Sequence, residues 1–196
     1  MSVFQDARVL LFVADYAGVD AAQKINAIGA GFTLTGIQPQ TGLTPPQHVV
    51  VVIDVPTEYV GTDFSLTIEL RRDDLNQAVT VPGPAGQPEA MRIQQIVRPE
   101  KPQVPPGVQT PSGLDARIQY VLAFPTGLQL PAGVTYRWRV EIDGQTKPGW
   151  DSIFHVLAPA PAPVFGGPSA PPDPEMPRLE DSDNRGDRSQ ETSSDS

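Results

Sequence analysis

The side chains that most often carry catalysis are few in this sequence, and their spacing does not combine them. The chain has no cysteine, which excludes a cysteine nucleophile, a thiolate metal site and a disulfide framework. Its two histidines, His48 and His155, lie in predicted strands and outside the spacings typical of metal ligands. Ser152 precedes His155 by three residues in one predicted strand, so the two side chains point to opposite faces and cannot act as nucleophile and base. We therefore expect a protein that is not an enzyme.

Carboxylates would offer a second kind of chemistry, either a calcium site or an acid–base pair. Asp54 and Asp63 flank a predicted loop, and Asp73 and Asp74 lie in a predicted turn close to Glu69. Aspartates are common in turns because their side chains hydrogen-bond the local backbone, so the turn explains them without a metal. We expect neither a metal nor any other cofactor, and calcium binding at these residues is the alternative.

A pair of glycines, Gly29 and Gly31, matches the first two positions of a dinucleotide-binding fingerprint. The third glycine is missing and no helix is predicted to follow, although the phosphate contact depends on a helix N-terminus. Glycines inside a strand pattern more often mark a bulge or the close approach of another backbone. The sequence therefore predicts a structural role for both glycines.

The overall charge limits the partners that the chain can have. The 14 lysines and arginines stand against 23 aspartates and glutamates, which gives a net charge of −9, and no segment forms a basic stripe. Phosphate binding requires clustered cations, so neither nucleic acid nor an anionic membrane is expected as a partner. No apolar run approaches the roughly 20 residues that cross a bilayer, and residues 9–14 lack the features of a secretory signal. These patterns predict a protein made in a cytoplasm.

The elements that would position these residues are strands. Residues 9–14 and 48–54 are continuous apolar runs, and each predicts a strand buried on both faces. Residues 63–71, 116–124 and 136–142 alternate between apolar and polar side chains, which is the period of a half-buried strand. Short strands separated by turn signals predict an all-β, two-sheet sandwich of about eight or nine strands.

Two segments carry more specific predictions. Residues 25–37 are expected to pair with residues 9–14 as a hairpin at the centre of one sheet. Residues 91–97 predict a further strand, with a bulge where Gln94 and Gln95 interrupt the alternation.

The strand at residues 136–142 has the clearest alternation in the chain. Asp143 and Gly144 follow it and predict a tight hairpin turn. Tyr136 and Trp138 belong to its apolar face, and we expect both rings to be buried against the opening strand.

Proline-rich stretches divide the chain. Residues 1–157 are expected to form the β domain, residues 158–177 a proline-rich linker or arm, and residues 178–196 an acidic disordered tail. Inside the domain, residues 99–113 form an unusually long proline-rich loop, and such loops often carry function. The prolines of this loop and the start of the arm are therefore predicted to bind partner proteins: Pro99, Pro102, Pro105, Pro106, Pro161, Pro163 and Phe165.

Three segments resemble an uncharacterised family of bacterial and bacteriophage proteins. They are ADYA at residues 14–17, KINAIGAGFT at residues 24–33 and LPAGVTYRWRVEIDGQ at residues 130–145. The resemblance covers residues 7–157 and implies an immunoglobulin-like β-sandwich made in a bacterial cytoplasm. Its motifs are apolar and turn residues, so it implies no catalytic residues.

Two functions are compatible with these observations. The first is a non-enzymatic structural or interaction module with protein partners, such as a capsid or other assembly lattice, or further copies of itself. In that form it would be an accessory virion protein, a capsid decoration or head-associated protein of an actinobacterial phage. The alternative is a cytoplasmic regulatory or small-molecule-binding domain that uses the space between the sheets or the loop at residues 99–113.

Overall fold

A computed structural model describes residues 2–82, 86–101, 107, 109, 111 and 113–158. The regular elements within these residues are one helical turn, one 3₁₀ turn and thirteen strands. They are α1 (Val3–Asp6), β1 (Arg8–Ala14), β2 (Tyr16–Val19), β3 (Ile25–Ile28), β4 (Leu34–Thr35), β5 (Gln47–Val55), the 3₁₀ turn (Thr57–Tyr59), β6 (Phe64–Arg72), β7 (Gln77–Ala78), β8 (Thr80–Pro82), β9 (Pro88–Ala90), β10 (Arg92–Val97), β11 (Ala116–Phe124), β12 (Val134–Ile142) and β13 (Asp151–Val156).

The longer strands form two sheets that pack face to face. One sheet has the order β1-β5-β11, and the other has the order β10-β6-β12-β13-β4, with β7 beside β6. Among the seven longest strands, the first, second and fifth thus share one sheet and the remaining four share the other. The same division of strands is found in immunoglobulin-like sandwiches in which the fourth long strand, here β10, pairs with the third, here β6. The predicted all-β sandwich is confirmed, and the higher strand count reflects short accessory strands.

The core lies between the inward faces of the two sheets. Tyr136 and Trp138 are fully buried, as predicted, at 0% and 1% exposure. Trp138 stacks on Phe124 of the opposite sheet at 5.5 Å, and Tyr136 stacks on Phe154 at 5.8 Å. The aromatic partners of both rings therefore lie on β11 and β13 rather than on the opening strand.

Tyr136 also anchors the backbone segment that precedes β12. Its hydroxyl group donates a hydrogen bond to the carbonyl oxygen of Pro131, 3.2 Å away and five residues earlier. A tyrosine near the start of this strand, bonded to upstream backbone, is the tyrosine corner of immunoglobulin-like domains. The turn predicted after β12 is also present, with Asp143 at φ 50° and Gly144 at φ 72°.

The prediction of a central hairpin at the start of the chain is wrong. β1 lies at the edge of its sheet, where β5 is its one partner among the described strands, and Leu10 near its middle is 57% exposed. The segment after β1 instead forms a separate two-stranded hairpin of β2 and β3. The periodicity of residues 25–37 predicts strands but does not specify which strand pairs with them. It therefore could not distinguish pairing with β1 from the hairpin of β2 and β3.

The prediction of double burial for residues 48–54 is confirmed in part, because His48, Val52 and Asp54 on the outward face are only half-buried. Val49, Val51 and Ile53 of β5 are fully buried toward the core, and Val50 is fully buried on the opposite face. The β2–β3 hairpin covers that opposite face, where Val50 forms a second apolar cluster with Ala14 and Ala17. Strand β5 and the C-terminal end of β1, which includes Val13 and Ala14, therefore have core on both sides.

The bulge predicted in β10 is absent. Its register against β6 is unbroken from Arg92 opposite Glu69 to Val97 opposite Phe64. The adjacent glutamines therefore follow the regular alternation of the strand, and their shared polarity does not disturb the pairing.

The last strand, β13, ends at Val156, one residue before the predicted domain boundary. Beyond Ala158, the predicted linker and the predicted disordered tail lie outside the described residues. Within the part of the chain that is described, no helix has the length and apolar character needed to cross a membrane.

Candidate interaction surfaces

The histidines lie on different sheets and have local structural partners. His48 Nδ1 lies 3.2 Å from the carbonyl oxygen of Asp15, and its ring meets Tyr16 edge to face at 5.3 Å. His155 Nδ1 lies 3.0 Å from Thr135 Oγ1. Ser152 is opposite the inward-facing Trp138, whereas His155 is opposite Thr135, so serine and histidine occupy opposite faces of β13. The geometry does not bring a nucleophile and a base together here.

The aspartates that were considered as calcium ligands bind arginine side chains. Asp54 accepts two hydrogen bonds from Arg117, at 2.8 and 3.1 Å. Asp74 accepts two from Arg72, at 3.1 and 2.7 Å, and the pKa of Asp74 is lowered mainly by this hydrogen bonding. Such two-point contacts use the carboxylate oxygens that a calcium ion would require.

The remaining acidic candidates are occupied in the same manner. Asp63 accepts hydrogen bonds from Arg98 at 2.6 and 2.8 Å, and this contact lowers the pKa of Asp63. Glu69 pairs with Arg71, and Asp73 pairs with Arg137. In the described ranges, no group of three or more histidine or acidic side chains is arranged to hold a metal ion.

The glycine pair has the structural role that the sequence predicts. A side chain on Gly29 would place its Cβ 2.0 Å from Asp15 Oδ2, and Gly29 also has a positive φ of 63°. The amide of Gly31 donates a hydrogen bond to the carbonyl oxygen of Val13 at 2.7 Å. Gly29 therefore leaves room for Asp15 where the chain after β3 returns along the end of β1, and Gly31 supplies a positive φ of 76° nearby.

A groove of about 510 Å³ runs between the β2–β3 hairpin and the outward face of the β1-β5-β11 sheet. Its apolar floor includes Leu10 and Val52, and its rim carries Arg8, Lys24 and the Asp54–Arg117 pair. Arg8 also binds Asp115 at 2.6 Å. Most charges at this groove are therefore neutralised by neighbours within the fold.

The edge of the second sheet differs from this neutralised surface because it exposes apolar side chains. Ile93 and Ile96 of β10 are 39% and 69% exposed. One side of β10 is paired with β6, and no described strand pairs with the other side. Arg92, at its first position, is the strand's single charged residue. A regular, nearly uncharged strand edge of this kind can add a strand from another chain.

The residues predicted to bind partners lie mostly outside this description. Pro99 is buried just beyond β10, and its carbonyl oxygen accepts a hydrogen bond from the amide of Gly61 at 2.9 Å. Pro99 thus contributes to the fold at the start of the long loop. The other predicted residues lie outside the described residues: Pro102, Pro105, Pro106, Pro161, Pro163 and Phe165.

Sequence reasoning did not single out Ile93 and Ile96, although a signal was present. The two isoleucines are three positions apart in a strand, so they must lie on opposite faces. One of them therefore has to point away from the core, and the expectation of a bulge concealed this consequence.

Comparison with known proteins does not assign this chain to a family. No protein-family model, no curated protein and no solved structure matches the chain.

Proposed function

We propose that this protein is a non-enzymatic structural and interaction module that associates through the edge of β10 with which no described strand pairs. The observation that carries the proposal is the combination of an unbroken register, two exposed isoleucines and a lack of carboxylates in this strand. The main-chain amides and carbonyls of an open edge supply hydrogen bonds to an added strand. The exposed isoleucines supply the apolar area that accompanies such pairing.

The partner we propose is a second copy of the same chain. Two chains that each carry a net charge of −9 repel each other overall. The strand β10 contains no acidic residue, so this edge allows close approach with little repulsion between carboxylates. Natural proteins usually protect exposed edges with inward charges, prolines or bulges, and β10 has none of these in its interior.

A repeated edge contact of this kind suits a protein that works as part of an assembly. The finer proposal is an accessory virion protein, a decoration or head-associated protein of an actinobacterial phage that is made in the bacterial cytoplasm. Its support is the resemblance of residues 7–157 to a bacterial and bacteriophage family, together with the edge geometry. Mass spectrometry of purified particles tests it, and particles without this chain would reject the virion assignment.

Light scattering coupled to size-exclusion chromatography tests the edge itself. We expect the full chain to form dimers or larger species, and Ile96→Lys to produce monomers because a charge then lies on the pairing edge. Ile28→Lys is the matched control because Ile28 is equally exposed at 69% but lies on the β2–β3 hairpin. A monomeric parent protein, or an Ile96→Lys variant that associates as the parent does, would contradict the proposal.

A further inference from the structure

The space between the two sheets opens into a cavity of about 300 Å³ beside the β8–β9 ribbon. Inward-facing side chains of both sheets line it, and Met91, Ala90 and Val81 complete the wall at the ribbon. A cavity with mostly apolar walls and a few polar groups at its rim is the usual form of a small-molecule site.

Trp138 lines this cavity and has an unused hydrogen-bond donor. The side chain is 1% exposed, and its indole Nε1 has no acceptor among the residues that the structure describes. Its ring stacks on Phe124, with 29° between the ring planes. Buried indole N–H groups usually have a partner because an unpaired donor in an apolar environment is unfavourable.

The geometry points to a binding site for a small, neutral and mainly apolar molecule that offers one hydrogen-bond acceptor to Trp138 Nε1. The apolar walls formed by Leu122, Phe124 and Ile68 would contact the body of the ligand. Glu89 and Arg92 contribute one charge of each sign to the lining, so the site has no preference for an ionic ligand. An aromatic ketone or amide is the chemical class that fits these features.

This site goes beyond the edge pairing proposed above and can be tested separately from it. Ile93 borders the cavity, whereas Ile96 does not, because the two side chains lie on opposite faces of β10. A chain that carries Ile96→Lys should therefore retain ligand binding even where it no longer associates.

The experiment compares two probes of similar shape that differ in the acceptor, acetophenone and ethylbenzene. In a ¹⁵N-labelled full chain, the indole signals of Trp138 and Trp150 are distinguished by the Trp150→Phe variant. We expect acetophenone to move the Trp138 indole proton downfield and to bind roughly three- to tenfold more tightly than ethylbenzene, as one hydrogen bond allows. Equal binding of the two probes, or no movement of the Trp138 signal with acetophenone, would overturn the proposal.

A blocking variant places the binding in this cavity. Ala90→Phe adds a ring at the wall formed by β9, and we expect it to abolish the acetophenone-induced shift while the β-sheet circular dichroism is retained. Leu75→Phe introduces a ring at an exposed position in the turn after β6, 52% exposed, and should leave the shift unchanged. If acetophenone still shifts Trp138 when Ala90→Phe is folded, the site lies elsewhere and the proposal is wrong.

Discussion

The outward faces of the two sheets are covered in different ways. On the β1-β5-β11 sheet, Val50 and Ala14 are completely buried beneath the β2–β3 hairpin. On the β6-β12-β13 sheet, Thr67 and Glu69 are buried at 9% and 7% exposure although no described strand crosses over them. Glu69 there is paired with Arg71, so charged side chains cover this face.

This difference explains the two sequence patterns. Strand β5 contacts apolar groups on both sides, so its sequence is a continuous apolar run. Strands β6 and β12 need apolar residues only toward the core. Arg71 and Arg137 on their outward faces are ion-paired and only 21% and 24% exposed. Continuous and alternating patterns thus distinguish a strand covered by a hairpin from one covered by ion pairs.

The inward faces of the two sheets are both apolar and form one shared core. Substitution of Trp138 in this core is expected to have the largest effect on stability. Trp138→Ala removes a fully buried ring that stacks on Phe124 across the sheets, and we expect a loss of about 3–5 kcal/mol in the free energy of unfolding. Urea denaturation measures this loss. Ile153→Ala, on the outward side of the same sheet and 41% exposed, is the control and should cost under about 1 kcal/mol. A loss under about 1 kcal/mol for Trp138→Ala would show that its ring does not join the sheets.

A reciprocal exchange of similar side chains tests the difference between the outward faces directly. Val50→Thr places a hydroxyl group beneath the hairpin, and we expect a loss of about 1–3 kcal/mol because the group is buried in an apolar cluster. Thr67→Val makes the opposite change on the ion-paired face and should alter stability by less than about 0.5 kcal/mol. Denaturant melts of both variants provide the measurement. Similar effects at the two positions would mean that the hairpin does not separate Val50 from water.

The sequence was sufficient for the features that depend on local spacing. The alternation in β6, β11 and β12 and the turn at Asp143 and Gly144 could be predicted because each is determined by neighbouring residues. The placement of β2 and β3 could not be predicted, since it depends on the contact of Gly29 with Asp15 and on burial against β5. Short-range periodicity contains no information on such contacts between distant segments.

The candidate surfaces were predictable to a lesser degree. The separation of Ser152 and His155 followed from strand geometry, and the structure shows it. The exposure of Ile96 and the position of Trp138 beside a cavity depend on which strands lie at the edges of the sheets. Edge position is a property of topology, so the sequence indicates that one of Ile93 and Ile96 points away from the core but not that β10 lies at an edge or that Trp138 borders a cavity.

Salt sensitivity is a further way to separate the two outward faces. Arg137 binds Asp73 at 2.7 Å and also pairs with Asp151, and its side chain is 24% exposed. We expect Arg137→Met to cost about 1 kcal/mol at low ionic strength and less in concentrated salt, because salt screens partly exposed charges. Arg8→Met is the control, since Arg8 is 75% exposed and its pair with Asp115 should contribute little.

The outcome that would contradict this interpretation is a salt-independent penalty for Arg137→Met. In that case the side chain would stabilise β12 and β13 through packing of its stem and not through charge. The penalty of Val50→Thr, in contrast, should persist in salt because it arises from burial of an uncharged group.

The smallest expected effect on stability comes from the segment that connects the two sheets between β5 and β6, and it is confined to alkaline pH. Tyr59, in the 3₁₀ turn between β5 and β6, donates a hydrogen bond to Asp6, and this bond is the main cause that raises the pKa of Tyr59 to about 12. A raised pKa means that the folded state favours the neutral phenol. The associated stability is therefore complete below the ordinary pKa of 10.0 and is lost as the pH rises toward about 12.

Tyr59→Phe should remove this part of the alkaline loss, and Asp6→Asn should let Tyr59 ionise at lower pH, as followed by ultraviolet absorbance of tyrosinate. An unchanged absorbance titration in Asp6→Asn would show that Asp6 does not hold the phenol and that the two sheets are joined here by packing alone.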